Sequence, residues 1–221
     1  MDRSIFSTLH SPDVETLSFE KSCRQYDRNE PIFHEGSFSD GLFCIHDGKI
    51  KITRMGPNGR ETIIRFATAG DTIGYTALVS GEKLNVSAIA LEPTQVCRVP
   101  RESIFRLIRN NPTLAMSIMQ LMSHELEESE RRVVELAQKS VKERVAEALL
   151  VLKETFGYEA DGETISIHLT REELADVVGT ATESVIRMLS DLKHQHIIET
   201  EGTNIRIKNV SALIRVANLT D

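Results

Sequence analysis

From Thr170 to Ile198 the chain reads TREELADVVGTATESVIRMLSDLKHQHII, a pattern that few folds accommodate. Thr170 and Glu173, three residues apart, make a capping box. Leu174, Ala175 and Val178 then give one apolar helical face, and Gly179 ends that helix in the left-handed conformation glycine tolerates. Thr180 with Glu183 makes a second capping box, and Val185, Met188, Leu189 and Leu192 return at helical spacing. Two short helices joined by a glycine turn predict a helix-turn-helix. The outward face of the second helix carries Glu183 and Arg187, one turn apart, with Ser184, Ser190 and Asp191 on or beside it. A major groove admits such a helix, where Arg pairs with guanine O6 and N7 and Glu accepts from a cytosine amino group. The plainer alternative is a structural helix pair in which Glu183 closes its cap and pairs with Arg187 along the surface.

The next residues, HIIETEGTNIRIKN, alternate apolar and polar around a turn at Glu201-Gly202. They predict a small hairpin, the wing of a winged helix-turn-helix, with Arg206 and Lys208 on one face within reach of phosphates. Charge opposes a general affinity for nucleic acid. The chain of 221 residues carries a formal −7, and from Ser140 onward nine Lys or Arg face fourteen Asp or Glu. Binding would rest on a local gathering of Arg171, Arg187, Lys193, Arg206 and Lys208, assisted by helix N-termini. Specific sites are expected to be held and random DNA only weakly.

Between Cys23 and Pro100 short alternating runs are punctuated by glycines, which predicts an antiparallel sandwich or barrel. Candidate strands are Pro31–His34, Gly41–His46, Lys49–Met55, Glu61–Ala67, Thr72–Gly74, Asn85–Leu91 and Gln95–Val99, with Gly-Pro-Asn-Gly at 56–59 a hairpin turn. Short helices are expected at Ile5–Leu9, Val14–Phe19 and Ser103–Asn110. Pro112 can open a much longer helix reaching Gln138. On it Ala115, Met119, Met122, Leu126, Ser129, Val133 and Leu136 alternate spacings of four and three, a coiled-coil seam. Leu114, Ile118 and Leu121 form a second stripe, so one half of the helix can pack on its own roll while the seam meets a second copy of the chain. The alternative is a core helix of a single chain with a solvated outer face. Another helix starts after Ser140, TISIHL (164–169) reads as a strand, and a last helix is expected at Val210–Ala217. The class is α+β, divided as 1–111, a strand-rich domain; 112–139, a dimerisation helix; and 140–221, a DNA-binding domain.

The three cysteines are far apart and form no C-x-x-C, so reduced, buried thiols are expected rather than a disulfide, a zinc site or a four-cysteine cluster. No run of about eighteen apolar residues exists to span a membrane, and the N-terminus lacks an apolar signal core. A cytoplasmic location is expected. No nucleophile–base constellation stands out, so no catalysis is expected. A cupin-like metalloenzyme would need more ligands than His34, Glu35 and His46 supply in the roll.

A glycine-punctuated roll, a long helix and a C-terminal winged helix-turn-helix, in this order, resemble the cyclic-AMP receptor protein / fumarate-nitrate regulator (CRP/FNR) family of bacterial transcription factors. The similarity runs from about Cys23 to Lys208. IFHEGSFSDGLFCIHDGKIKI looks like the family's roll signature and TATESVIRML like its recognition helix. The resemblance implies a cyclic-nucleotide-binding-like β-roll (a double-stranded β-helix) as the sensor domain over 1–111, a homodimer, and double-stranded DNA with a two-fold-symmetric site as partner. It also implies RNA polymerase as a partner and a small-molecule effector whose identity is open. On this pattern Thr182, Glu183 and Arg187 contact bases, and Thr170, Arg171, Ser184, Lys193 and Arg206 contact phosphates. The dimer interface comprises Met119, Met122, Leu126, Ser129, Val133 and Leu136. Ile186 departs from the family's usual Gly or Ser, which leaves the outer bases of the half-site open.

The phosphate-binding cassette departs further. In GDTIGYTALVSGEKLNVSA, Tyr75 stands where the family's ribose-binding Glu would be, and the phosphate-binding Arg falls near Asn85. Cyclic AMP is therefore not expected to act in the usual way, since a bidentate charged partner and a ribose acceptor are both lost. Lys83 offers a replacement charge or is simply a turn lysine. An effector pocket is expected near Gly74, Tyr75, Thr76, Lys83, Asn85, Val86, Ser129 and Glu130. Only Cys23 lies near the position of the family's cluster-binding cysteines, which argues against an iron–sulfur sensor. Haem or metal sensing would draw on His10, His34, His46 or His124, each equally readable as an ordinary surface histidine. A cyclic-nucleotide adaptor with no DNA role is a further alternative, opposed by the winged helix-turn-helix.

Overall fold

Glycine turns break the apolar runs of the first half into short strands, and in the computed structural model those strands close into a roll of two four-stranded sheets. The structure describes residues 5–8 and 17–219. One sheet has the order β1-β8-β3-β6, from Ser22–Tyr26, Thr94–Pro100, Gly41–Asp47 and Thr72–Ile73. The other has the order β2-β7-β4-β5, from Pro31–Phe33, Ser87–Ala90, Lys49–Met55 and Glu61–Thr68. Side chains alternate across each strand, so Phe43 and Ile45 enter the roll with Phe33, Ile50, Ile52, Ile73 and Val96. Each such side chain contributes about 1.5–3 kcal/mol on burial. The 56–59 turn joins β4 to β5 as expected, with the Gly56 N–H donating to the Arg60 carbonyl at 2.8 Å.

The alternate residues of the first sheet face outward and are covered by helices. Leu42 and Val99 pack with Ile104 and Leu107 of the helix Arg101–Asn110 and with Leu114 and Ile118 of the long helix Pro112–Gln138. Ile5, Leu17, Tyr75 and Leu78 complete this second cluster. Leu114 and Ile118 thus behave as the inner stripe expected of them. Two elements were not legible in the sequence: the edge strand β1 and a short helix at Tyr75–Ser80, launched by Gly74 at φ 85°. Ile5–Thr8 is a single 3₁₀ turn and residues 17–20 a helical turn; the rest of the two expected N-terminal helices lies outside the described residues.

The expectation of three reduced thiols is overturned. Cys23 and Cys97 form a disulfide, because the β1–β8 register sets them directly opposite each other with Cα atoms 3.9 Å apart. Their separation of 74 residues conceals this from a spacing argument. Cys44 is free and half-buried, and burial pushes its thiol up to about 11.

The chain forms two compact units, Met1–Glu128 and Ser129–Asp221. The second contains the end of the long helix, the helix Val141–Phe156, the pair Arg171–Val178 and Thr182–His194, the hairpin β9 (Ile198–Glu201) and β10 (Asn204–Ile207), and a final helix Val210–Val216. Ser140 and Glu143 close a reciprocal capping box on Val141–Phe156. Residues 164–169 do not form the expected strand. Ile165 bonds to Ile205 while Ser166 bonds to Gly157, so the segment splits its hydrogen bonds between two neighbours and makes isolated bridges instead of a ladder.

A Cβ added at Gly41 would lie 2.2 Å from the Val99 carbonyl oxygen, in the tight β3–β8 pairing. Gly41→Ala is expected to destabilise the roll by about 1–3 kcal/mol, the usual scale of overpacking, read as a lowered midpoint in thermal or urea unfolding.

Candidate nucleic-acid interface

The first helix of the pair is built as its sequence indicates. Thr170 is the N-cap, its hydroxyl accepting from the Glu173 N–H at 3.1 Å while the Glu173 carboxylate accepts from the Thr170 N–H at 2.9 Å. Gly179 ends the helix in the left-handed region at φ 69°. The carbonyls exposed at that end are taken by two arginines. Arg132, near the end of the long helix, donates to the Val177 carbonyl, and Arg144 donates to that of Val178, both at 3.1 Å. Both charges also suit the negative end of a helix dipole. Leu136 closes over the turn, 3.2 Å from where a Gly179 Cβ would be.

The second capping box does not form. The recognition helix, Thr182–His194, has Ala181 as its N-cap, with no side-chain cap bond. The Thr180 N–H bonds back to the Ala175 carbonyl, so Thr180 belongs to the preceding turn and the next helix begins one residue later than the box requires. Val185, Leu189 and Leu192 are buried, as their spacing indicates, against a core that includes Leu174, Val178, Val145 and Leu149. The opposite face presents Glu183, Ile186, Arg187, Ser190 and Asp191, all exposed, with Thr182 and Ser184 half-buried at its start. Glu183 is thereby free of the cap and points outward beside Arg187.

The wing pairs Asn204 with Glu201 and Arg206 with Glu199, and Gly202 at φ 56° makes its turn. Arg171 donates to the Gly202 carbonyl at 2.7 Å, tying the first helix to the wing tip, and burial lowers its guanidinium from the ordinary value. The basic wing residues are already engaged with acids. Arg206 bonds to the Thr164 hydroxyl at 3.2 Å and lies 3.7 Å from Asp161 and 3.8 Å from Glu201, while Lys208 holds Glu163 at 2.6 Å. Asp161 organises this corner: it accepts from the Thr164 hydroxyl and the backbone N–H groups of Thr164 and Glu163, which hold its carboxyl down at about 2. Lys193 and Arg206 border a shallow depression of about 360 Å³ with Glu199, Thr200, Glu201 and Asn204. Sequence reasoning missed Arg132, Arg144 and Asp161, which look like ordinary surface charges until the chain is folded.

In the first unit Tyr75 is only 2% exposed. Its hydroxyl meets Arg65 at 3.4 Å, and Arg65 pairs with Glu125 at 2.8 Å. Burial, with the Glu125 charge adding, holds the phenol well above the tyrosine range. The other expected pocket residues of this unit do not share that environment: Val86 packs on the roll interior, and Thr76, Lys83 and Asn85 are exposed, Lys83 resting over the Phe38 ring at 5.4 Å. Ser129 and Glu130 belong to the second unit. His34, His46 and His124 are exposed and His10 lies outside the described residues. Among the described residues no group of three His, Cys, Asp or Glu side chains could hold a metal ion. Along the seam of the long helix Met119, Leu126, Val133 and Leu136 are each more than half exposed, Ser129 is exposed, and Met122 packs on the helix-side cluster.

Residues 23–111 match the model of the cyclic nucleotide-binding domain and residues 143–216 that of the Crp-like helix-turn-helix domain. The chain belongs to the CRP/FNR family. Among its CRP/FNR relatives are the CRP-like cAMP-activated global transcriptional regulator of Mycobacterium tuberculosis, 27% identical over 96% of both chains, and the fumarate and nitrate reduction regulatory protein of Vibrio cholerae, 28% identical over 96% of this chain and 85% of that one. The solved structure of FixK2 from Bradyrhizobium japonicum matches with a TM-score of 0.80 at 25% identity, covering 91% of this chain and 99% of that one. This CRP/FNR protein is thus a transcription regulator with an effector-binding domain and a DNA-binding helix-turn-helix, and its relatives are regulators rather than enzymes. Among the described residues no helix is long and apolar enough to cross a membrane.

Gly179→Ala is expected to cost about 1–2 kcal/mol for the left-handed backbone alone, with further loss from the Leu136 contact, measured by urea unfolding. Asp161 supplies a pH test. Its folded value is depressed, so its contribution is complete above the unfolded value of about 4 and disappears as pH falls through about 2. Asp161→Asn is expected to flatten the stability profile across that window, followed by acid titration of the thermal midpoint.

Proposed function

We propose that this regulator acts as a cytoplasmic homodimer on a two-fold-symmetric DNA site, reading bases with Thr182, Glu183 and Arg187. The observation that carries the reading is the exposed Glu183–Arg187 pair on the N-terminal half of a helix whose other face buries Val185, Leu189 and Leu192. Thr170, Arg171, Ser184, Lys193 and Arg206 are assigned to phosphates, where they fix register without conveying sequence. The exposed seam Met119, Leu126, Val133 and Leu136, with Ser129 and part of Met122, is assigned to the second copy. A symmetric pair would place two recognition helices on successive half-sites. RNA polymerase is the protein partner.

The effector domain is assigned a ligand other than cyclic AMP in the usual mode. Tyr75 supports this: its buried ring and its hydroxyl beside Arg65 fill the place where a ribose-binding carboxylate would stand. An effector near Gly74–Thr76, Lys83, Asn85 and Val86 would act by population shift, binding one of two states of the regulator more tightly.

Selection from a random DNA library tests the reading. Wild type is expected to enrich a palindrome, and Arg187→Ala to bind that palindrome on the order of 10- to 100-fold more weakly, with relaxed preference at the base pair Arg187 reads. A non-palindromic motif, or a palindrome bound equally by Arg187→Ala, would overturn it.

A further inference from the structure

The three cysteines of the chain stand in one row across one sheet. Cys97 on β8 is directly opposite Cys23 on β1 and, on its other side, directly opposite Cys44 on β3. Directly opposed residues of antiparallel strands project from the same face with Cβ atoms about 4.5–5.5 Å apart. All three sulfurs therefore lie on the outward, helix-covered face, where Cys44 joins the cluster of Leu42, Val99 and Ile104. Cys97 is buried at the centre, Cys44 is half-buried, and Cys23 is exposed on the edge strand.

We propose that this row is a thiol–disulfide exchange site: Cys97 is the shared centre, Cys23 its solvent-side partner, Cys44 its internal alternative, and the reactants are dithiols and low-molecular-weight disulfides. Reduction begins at the exposed sulfur. A thiolate of the dithiol attacks Cys23 Sγ, forms a mixed disulfide and releases Cys97 as a thiolate, which takes a proton. The second thiol of the reductant then closes on the first, expelling the Cys23 thiolate, so the dithiol leaves as its cyclic disulfide and two electrons and two protons have entered the protein. A small disulfide such as oxidised glutathione drives the reverse, releasing two equivalents of thiol. In the internal exchange the Cys44 thiolate attacks Cys97 Sγ, the Cys44–Cys97 bond forms, and Cys23 leaves and takes the proton. Burial keeps the Cys44 thiol protonated at neutral pH, so this exchange is slow beside attack from solvent.

The site acts on a strand that packing secures poorly. Of β1 only Tyr26 is buried, and β1 pairs with β8 alone, so the disulfide is the cross-strand covalent link that fastens it to the sheet. β1 follows Leu17, which packs with Leu114 and Ile118 at the start of the long helix. Reduction loosens that edge.

Disulfide mapping by mass spectrometry, after equilibration with oxidised glutathione and alkylation of free thiols, tests the row. Wild type is expected to yield one alkylated cysteine, Cys44, and a Cys23–Cys97 link; Cys44→Ser keeps that link; Cys23→Ser yields Cys44–Cys97; Cys97→Ser yields no link. Dithiothreitol should return every variant to free thiols and lower the wild-type Tm by several degrees, leaving that of Cys97→Ser unmoved. Three alkylated cysteines in oxidised wild type would overturn the site. A Cys23–Cys44 link in Cys97→Ser, or none in Cys23→Ser, would overturn the shared centre. The wild-type thiol count stands even where a variant fails to fold.

Discussion

Two guanidinium groups hold the end of one short helix, and the placement of the recognition helix depends on them. The last carbonyls of Arg171–Val178 have no partner within their own helix, and a desolvated carbonyl without one is costly. Arg132 and Arg144 supply the bonds from two different helices. Gly179 can then reverse the chain at the same point, under Leu136. The end of the long helix and the helix-turn-helix are consequently one packed object, and the second unit begins at Ser129, within that helix. Alongside, the buried Glu147 is held by Lys139 at 2.9 Å, with Arg131 at 3.7 Å, and burial together with the Glu147 charge raises the carboxyl of Glu135.

The effector domain is held by a different means. Its interior is mainly apolar, and beside the cassette the buried Tyr75 meets Arg65, which pairs with Glu125. A carboxylate in place of Tyr75 would bring a second negative charge next to Glu125, whereas the phenol stays neutral.

What the sequence revealed is what local spacing determines. Thr170 and Glu173 cap each other three residues apart, Gly179 sits where only a left-handed residue fits, and Val185, Leu189 and Leu192 share a face, so both helices and their outward residues could be read directly. Non-local geometry could not be. The disulfide joins residues 74 apart, the Arg132 and Arg144 clamps are indistinguishable in sequence from solvated charges, and the strand expected at 164–169 divides its bonds between two neighbours. The cap at Thr180 failed by a single residue, because its N–H was needed to finish the preceding turn. The six-residue helix Tyr75–Ser80 is too short to show a period.

The wing carries one more consequence. Its cations are stored with their own anions: Arg206 beside Asp161 and Glu201, Lys208 on Glu163. On the proposed phosphate role, a ligand oxygen engaging either of them would displace a carboxylate rather than fill a vacancy, and the hairpin would work as a small ion exchanger. Such a surface gains little from the mere presence of negative charge. It would gain only where a phosphate's position lets the cation turn outward while Asp161 keeps its three bonds to Thr164 and Glu163, so on the proposed role the wing would respond to the geometry of a backbone more than to its charge.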